Sequence, residues 1–239
     1  MRKLLPILAF LFCCSPANAT WSLVQHPNTH ACASATSCAL TLTQNTGSGN
    51  LLIFLISFYN PTSGSASLTG ISAGGSYVHP AGCQVAVNGS DLATDCGYVL
   101  SSTGGVSAIT FTYTNGNSTS GYTAISMFEY HTTLTAAFDV DGTRVSSTGG
   151  SPAGVTLTLT GSNDVIAQNI NGLSGGASAI TGTYTNPADF IAGFGWAGSI
   201  NTNSGTAPTW TITSNEAGMS AIAFKETSTP TPSMPPVVL

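Results

Sequence analysis

Charged side chains are scarce in this chain, which has four Lys and Arg residues and nine Asp and Glu residues among 239. Two of the four basic residues, Arg2 and Lys3, stand at the N-terminus, so that Arg144 and Lys225 are the only ones in the remainder. Proteins that bind nucleic acid or anionic membranes do so through clusters of basic side chains. The composition therefore excludes both kinds of partner.

The sequence also lacks amphipathic stretches with helix caps, and no apolar run approaches the roughly 20 residues that a membrane span requires. Beyond the N-terminus, the clearest apolar run is Leu51 to Ile56, between the turn-rich residues 45–49 and Asn60-Pro61. Such a run is typical of a strand covered on both faces, although periodicity alone also allows a buried helix segment. We expect residues 50–59 to form the central strand of the core.

The N-terminus has the pattern of a secretory signal peptide. Arg2 and Lys3 precede an apolar segment at residues 4–12, and Ala17-Asn18-Ala19 supplies the small-x-small cleavage pattern. Phe12 stands before Cys13 where a lipoprotein requires a small residue, which disfavours lipidation. We expect residues 1–19 to be removed and the chain to be secreted, as an extracellular or cell-surface protein.

Two further boundaries follow from composition. Residues 20–226 have the length of one all-β unit, and we predict a single β-sandwich domain there. Residues 227–239 contain four prolines and predict an extended Pro/Thr-rich tail or linker. No apolar segment follows them, so we expect no membrane anchor in the mature chain.

Four cysteines remain after the signal peptide: Cys32, Cys38, Cys83 and Cys96. In an exported chain, two disulfides are the default expectation. Three pairings can be drawn. The simplest pairs neighbours, Cys32 with Cys38 and Cys83 with Cys96, the second bond closing a hairpin around Asn88-Gly89. A zinc site is disfavoured, because neither spacing is C-x-x-C.

Apolar residues alternate with threonine through much of the chain. The clearest examples are residues 109–114, 155–160, 180–185 and 209–213. A period of two is required of a sheet with one buried and one solvated face. Because the strands are short and separated by turns, we predict an all-β fold, an antiparallel, jelly-roll-like β-sandwich with two disulfides.

Two segments of the chain are similar to each other in sequence. Thr103 to Asn115 matches Ser174 to Asn186 at ten of thirteen positions. We interpret it as a hairpin used twice in one sandwich, or as a partial duplication of two halves.

The layout resembles a loose group of Ser/Thr/Gly-rich, jelly-roll-like β-sandwich modules of secreted bacterial proteins. Four segments carry the resemblance: the strand GNLLIFLISF, the strand ending in Phe128-Glu129-Tyr130, the strand NDVIAQNI, and the closing strand AIAFKE before the Pro/Thr-rich tail. The resemblance implies an adhesion, carbohydrate-binding or spacer module. It carries over no catalytic residue.

Two pairs of polar residues are candidates for chemistry. Glu129 and His131 are two apart on one strand, and Asp139 and Asp141 repeat that spacing, so we expect each pair to share a face. Glu129 and His131 are candidate ligand-binding residues. A β-sandwich can bind calcium through carboxylates, and Asp139 and Asp141 are the candidate ligands for such an ion, the one cofactor that the sequence suggests. Ordinary strand-end and solvated positions are the simpler interpretation of both pairs.

Aromatic side chains can bind sugars by stacking on the apolar face of a pyranose ring, although core packing explains most of them. Tyr77 is the best candidate for an exposed ring, because Gly74-Gly75-Ser76 places it beside a turn. Trp196 and Trp210 are expected in the core.

Three functions remain. The favoured one is a secreted, non-enzymatic module for adhesion or carbohydrate binding, whose partner is a glycan or another surface protein. The second is a self-assembling structural surface subunit that pairs through edge strands. The third is a glycan-active hydrolase that uses Glu129 with Asp139 or Asp141, although the sequence has no G-x-S-x-G in a strand–turn–helix setting and no H-E-x-x-H. The sequence leaves the oligomeric state open.

Overall fold

All regular elements that the structure describes are β-strands. The computed structural model describes residues 21–32, 36–59, 66–87, 92–114, 122–147, 150–172, 177–182, 184, 188–191, 194–213 and 216–227. The predicted signal peptide, most of the predicted tail and the Asn88-Gly89 turn lie outside these residues. Within them, no helix could cross a membrane. The prediction of an all-β fold of antiparallel sheets is confirmed.

Seventeen strands are described, ten before residue 132 and seven after it. The first ten are β1 (Ser22–Gln25), β2 (Asn28–Cys32), β3 (Ser37–Thr41), β4 (Leu51–Tyr59), β5 (Ser67–Ser72), β6 (Tyr77–Val78), β7 (Val85–Val87), β8 (Leu92–Val99), β9 (Ala108–Thr114) and β10 (Tyr122–His131). The others are β11 (Thr135–Ser146), β12 (Asp164–Gly172), β13 (Ala177–Ile180), β14 (Ala188–Ile191), β15 (Phe194–Thr202), β16 (Trp210–Ile212) and β17 (Ala217–Thr227).

The strands form four antiparallel sheets. The inner N-sheet has the order β1-β10-β4-β8-β6, with β2 also paired to β10 and β7 to β8, and the outer N-sheet has the order β3-β9-β5. The inner C-sheet has the order β11-β17-β12-β15-β14, and the outer C-sheet pairs β13 with β16. We call β1–β10 the N-sandwich and β11–β17 the C-sandwich.

Three apolar cores separate the four sheets and show that they are stacked as layers. On β4, Leu52 and Phe54 face the outer N-sheet, whereas Leu51 and Ile53 face the inner C-sheet. Residues of the inner C-sheet alternate in the same way between the middle core and the core under the outer C-sheet. Both inner sheets are therefore covered on both faces, which explains why their central strands, β4 and β12, are buried along almost their whole length.

The predicted central strand is confirmed: every residue of β4 except Tyr59 is buried. Its pairing with β10 and β8 places it in the middle of the inner N-sheet.

Both disulfides join neighbouring cysteines, Cys32 to Cys38 and Cys83 to Cys96. The simplest pairing is thus confirmed, and β7 pairs with β8 as the predicted hairpin requires.

The two sandwiches have the same connectivity. In chain order, β11, β12, β15 and β17 take the places in the inner C-sheet that β1, β4, β8 and β10 take in the inner N-sheet. In the outer layers, β16 lies between β13 and residues 150–153, as β9 lies between β5 and β3. The structure thus adds to the predicted sandwich a second one of the same topology, packed against it through the inner sheets.

The sequence similarity of residues 103–115 and 174–186 does not mark this duplication. It sets β9 against residues 179–185, of which only Ala179 and Ile180 belong to β13, whereas the topological counterpart of β9 is β16. Residues 103–115 contain one strand, β9, which pairs with β3 and β5, so the interpretation as a hairpin used twice is wrong. Similar Ser/Thr-rich segments fill different positions because the same alternation suits any strand with one solvated face.

One predicted strand is only partly formed. Residues 155–160 alternate between buried and exposed as expected, but they form no continuous ladder. The side-chain amide of Gln168 instead bonds both backbone groups of Val155, and the backbone N–H of Leu157 donates to the carbonyl of Gly205. These partners satisfy the backbone where a neighbouring strand would otherwise do so.

Candidate functional site

Glu129 lies at the centre of a buried hydrogen-bond network. Its carboxylate accepts bonds from Nε2 of Gln25 (2.6 Å), the backbone N–H of Gly47 (2.7 Å) and Nδ2 of Asn50 (2.6 Å), and its side chain is fully buried. Gln25 in turn accepts bonds from Thr43 and from the backbone of Gln44. A carboxylate held in this way fastens loop 43–50 to β10 and is withdrawn from any ligand.

His131 lies beyond Glu129 on the same strand and is exposed. Its Nδ1 is 3.0 Å from Oδ1 of Asn50, so that Asn50 bridges His131 and Glu129. The expectation that these two residues converge on one side is confirmed. Of the pair, only His131 is accessible from solvent.

Tyr77 lies in the same cross-strand row as Glu129 but at the opposite edge of the sheet. Tyr77 pairs with Val99, Val99 with Leu52, and Leu52 with Glu129. Three steps between neighbouring strands correspond to roughly 14 Å. Because Leu52 and Val99 are buried between them, Tyr77 and Glu129 belong to separate sites.

Tyr77 does lie beside a polar cluster that the sequence motifs did not single out. His79, two residues further along the edge, is exposed, and its Nε2 is 2.7 Å from Oδ1 of the fully buried Asp95. The other oxygen of Asp95 accepts bonds from the backbone N–H of Leu68 (2.8 Å) and from Oγ of Ser67 (3.3 Å). The carboxylate thereby ties the edge strand β6 to the inner N-sheet and to β5.

The electrostatics of this cluster follow from Asp95. The hydrogen bond to Asp95 raises the pKa of His79, and the partial burial of the ring only partly opposes this effect. Burial and, to a smaller degree, the same carboxylate raise the pKa of Tyr77, which therefore stays a neutral phenol. The Tyr77 ring is half-buried and lies so close to Gly97 that a side chain at that position would collide with it.

The arrangement can bind a ligand but contains no assembled nucleophile. Within the described part of the chain, Nδ1 of His79 has no hydrogen-bond partner, so no serine or cysteine is positioned for activation by the ring. An oriented imidazole beside a half-exposed aromatic ring can instead offer one hydrogen bond and one stacking surface. We call Tyr77, His79 and Asp95 the edge site.

Asp139 and Asp141 point to opposite faces of β11. The register shifts between Phe138 and Val140, which makes Asp139 the extra residue of a β-bulge. Asp139 consequently faces Thr160 and Lys225, whereas the Asp141 carboxylate lies against Gly82 in the N-sandwich. The expectation that the two share a face, and could together bind calcium, is wrong because a bulge breaks the alternation of side chains.

Asp139 has a cation already, since Nζ of Lys225 is 3.1 Å from its carboxylate. Burial alone would raise the pKa of Asp139, but hydrogen bonds from Thr160 and Lys225 outweigh burial and hold the pKa below its usual value. Across the described residues, no three His, Cys, Asp or Glu side chains are grouped as a metal site would require.

Asp164 completes a second cluster that sequence reasoning missed. It is fully buried at the start of β12, and neither carboxylate oxygen has a hydrogen-bond partner of good geometry among the described residues. Burial, and then the neighbouring Asp139, raise the pKa of Asp164 to about 7, while Lys225 acts in the opposite direction. Burial beside Asp139 therefore favours the neutral, protonated form of Asp164.

A usable sequence signal existed for both missed residues. Asp95 and Asp164 are charged residues within or next to segments that have the apolar pattern of a strand, in a chain with very few charges. A buried carboxylate requires partners, so each position implied a polar cluster whose other members only the fold could reveal.

The three tryptophans do not contribute to a binding surface: Trp21, Trp196 and Trp210 are at most 2% exposed. The expectation that Trp196 and Trp210 lie in the core is confirmed.

Comparison with known proteins assigns the chain to no family. No protein-family model matches the chain, and no curated protein matches it.

Proposed function

We propose that the protein is a secreted, non-enzymatic module that binds neutral polysaccharide at the edge site. The observation that carries the proposal is the pairing of an exposed His79, fixed by a fully buried carboxylate, with the half-buried ring of Tyr77 two residues away. Sugar rings are bound in this way, by stacking on an aromatic face and by directed hydrogen bonds from polar side chains.

The preference for a neutral glycan follows from charge. Apart from Arg2 and Lys3, the chain has two basic side chains against nine acidic ones. At the edge site His79 is already paired with Asp95. An anionic polysaccharide would therefore meet net repulsion from the chain.

Export is part of the proposal. The two disulfides are typical of a chain that folds in an oxidising compartment, and the N-terminal pattern is that of a secretory signal peptide. The Pro/Thr-rich C-terminus is suited to spacing the module from a surface or from a further domain.

The geometry favours binding over the two alternatives. For the hydrolase, the carboxylate of Glu129 is buried and held by three donors, and Asp139 is paired with Lys225. For self-assembly through the long edge strand β11, the bulge at Asp139 and the charges of Asp141 and Arg144 are features that protect an edge from pairing.

The test is depletion of the oxidised mature protein by a panel of insoluble polysaccharides: cellulose, chitin, xylan, mannan and an anionic pectin. We expect depletion by at least one neutral polysaccharide and none by pectin. Tyr77→Ala and His79→Ala should each abolish most of the depletion.

Val78→Ala is the matched control, because Val78 lies between these residues on the edge strand, points to the opposite face and is 39% exposed. It should leave binding unchanged. Absence of binding to every polysaccharide, or equal loss with Val78→Ala, would contradict the proposal.

A further inference from the structure

A lysine amine, a buried carboxylate and a second buried carboxyl group meet in the C-sandwich. Nζ of Lys225 on β17 is 3.1 Å from Oδ1 of Asp139 on β11, and the Asp139 side chain is fully buried. Asp164 lies against the same carboxylate, with neither oxygen engaged in a hydrogen bond of good geometry within the described chain. Lys225 and the backbone N–H of Gly161 offset only part of the cost of burying this carboxyl group beside Asp139.

The packing around the three groups is tight. Gly161 covers the cluster so closely that a side chain there would collide with Asp164 and with the stem of Lys225. The backbone N–H and the hydroxyl of Thr160 bind the two oxygens of Asp139 and fix its carboxyl group, and the same hydroxyl accepts a hydrogen bond from Nζ of Lys225 (2.7 Å). Groups held in this way react with a very high effective concentration.

We propose that Lys225 and Asp139 condense to a side-chain amide, with Asp164 carrying the proton. The Nζ–Cγ bond forms, and one C–O bond of the Asp139 carboxyl group breaks. Of the three protons of the ammonium group, one stays on the amide nitrogen and two leave with the oxygen as water. Asp164 takes one proton from the ammonium group, which frees the lone pair of Nζ for attack on Cγ of Asp139, then returns that proton to the departing oxygen and is regenerated. No oxidant, metal or energy donor enters the balance.

Burial favours the product. An ion pair whose carboxylate is fully buried bears a desolvation cost that a neutral amide avoids. The Lys225 side chain is 32% exposed, so the water that is released has a short path to solvent. The pKa of Asp164, about 7, suits a group that must both donate and accept a proton at neutral pH.

The position of the bond gives it a mechanical consequence. It would join the first and last strands of the C-sandwich, which already pair along their whole length, and β17 leads directly into residues 228–239. A force applied through the C-terminus would then be transmitted covalently to β11 and would not peel β17 away. This inference does not depend on the polysaccharide proposal.

The chain offers a direct readout, because Arg144 and Lys225 are the only tryptic sites after the signal peptide. Trypsin should cut after Arg144 but not after a modified Lys225. Both disulfides lie before Arg144, so reduction leaves the amide as the only link between the two tryptic pieces. The reduced, unfolded mature protein should weigh one water less than its sequence, and its two tryptic pieces should stay joined.

Two variants test separately the role of Lys225 as the nucleophile and the role of Asp164 as the proton carrier. Lys225→Arg keeps the charge but cannot form this amide, so it should show the full sequence mass and separate pieces. Asp164→Asn keeps the shape without the proton carrier and should lose most of the cross-link. A wild-type protein with full mass and separable pieces would overturn the proposal, and an unchanged cross-link in Asp164→Asn would overturn the role of Asp164.

Discussion

The two sandwiches share one strand order but are held together by different means. The N-sandwich has both disulfides and fastens its outer layer with buried carboxylates, Glu129 to loop 43–50 and Asp95 to β5. The C-sandwich has no disulfide among its described residues and fastens its outer layer with the neutral amide of Gln168. The same topology therefore does not require the same interactions.

The two halves meet through a face that combines apolar and polar contacts. Phe128 and Phe224, which occupy matching positions on β10 and β17, both pack in the middle core. Asn169 and Asn171 on β12 donate from their amides to the carbonyls of Ile56 (3.0 Å) and Phe58 (2.8 Å) on β4. These bonds fix the register of one inner sheet on the other, which apolar contacts alone would not do.

The largest effect is expected at Glu129. Glu129→Ala leaves the N–H of Gly47 and two side-chain amides without their acceptor and creates a cavity, which should cost about 3–5 kcal/mol. Urea unfolding of the variant and the wild type measures this difference. A loss below about 1 kcal/mol would show that the N-sandwich does not depend on its buried carboxylate.

The disulfide between Cys83 and Cys96 should come next. Replacing both cysteines by alanine opens a loop with a sequence separation of 13 and should cost about 3 kcal/mol on the loop-entropy estimate. The matched pair Cys32→Ala/Cys38→Ala opens a shorter loop and should cost about 2 kcal/mol. Denaturant midpoints under oxidising conditions compare the two, and the reverse order would contradict this ranking.

Gln168→Ala is the corresponding change in the C-sandwich. It removes the partners of both backbone groups of Val155, neutral bonds whose loss should cost about 2 kcal/mol. Hydrogen exchange of the Val155 amide should accelerate, while that of Leu68 in the N-sandwich stays unchanged. If Gln168→Ala lost as much unfolding free energy as Glu129→Ala, the buried carboxylate would stabilise its sandwich no more than the neutral amide does.

The smallest effect concerns pH. Because the pKa of His79 is raised in the folded protein, its pairing with Asp95 stabilises the fold fully below the unfolded pKa of about 6.5. That contribution is lost as pH rises through the higher folded value. His79 is exposed, so the contribution should stay below about 1 kcal/mol.

The measurement is the stability difference between the wild type and His79→Ala at several pH values. This difference should shrink as pH rises above about 6.5. A difference that grows with pH would contradict the assigned pairing.

Much of the fold could be predicted, because the spacing of apolar residues along a strand shows which of its faces are buried. The apolar run of β4 predicted a strand covered on both faces, and the alternation in β9 predicted a strand with one solvated face. The second sandwich could not be predicted, since Thr-rich alternation is the same in any strand with one wet face. The internal similarity of residues 103–115 and 174–186 does not align corresponding strands of the two sandwiches.

The candidate sites were less predictable because they depend on pairing between distant strands. Tyr77 was identified from its neighbouring turn, but Asp95, which orients His79, is sixteen positions further on from His79 and is reached only through the sheet. The bulge at Asp139 is a property of the register of β11 on β17 and leaves no local pattern. Spacing of two along a strand therefore predicted a shared face for Glu129 and His131 correctly and for Asp139 and Asp141 wrongly.

The most direct test of the edge site is an NMR titration of the His79 ring with a soluble oligosaccharide of the polysaccharide that depletes the protein. We predict that the resonances of the His79 and Tyr77 rings shift together on saturation, while those of His131, on β10 at the other side of the sheet, do not. Shifts confined to His131, or binding without any change at His79, would contradict the account.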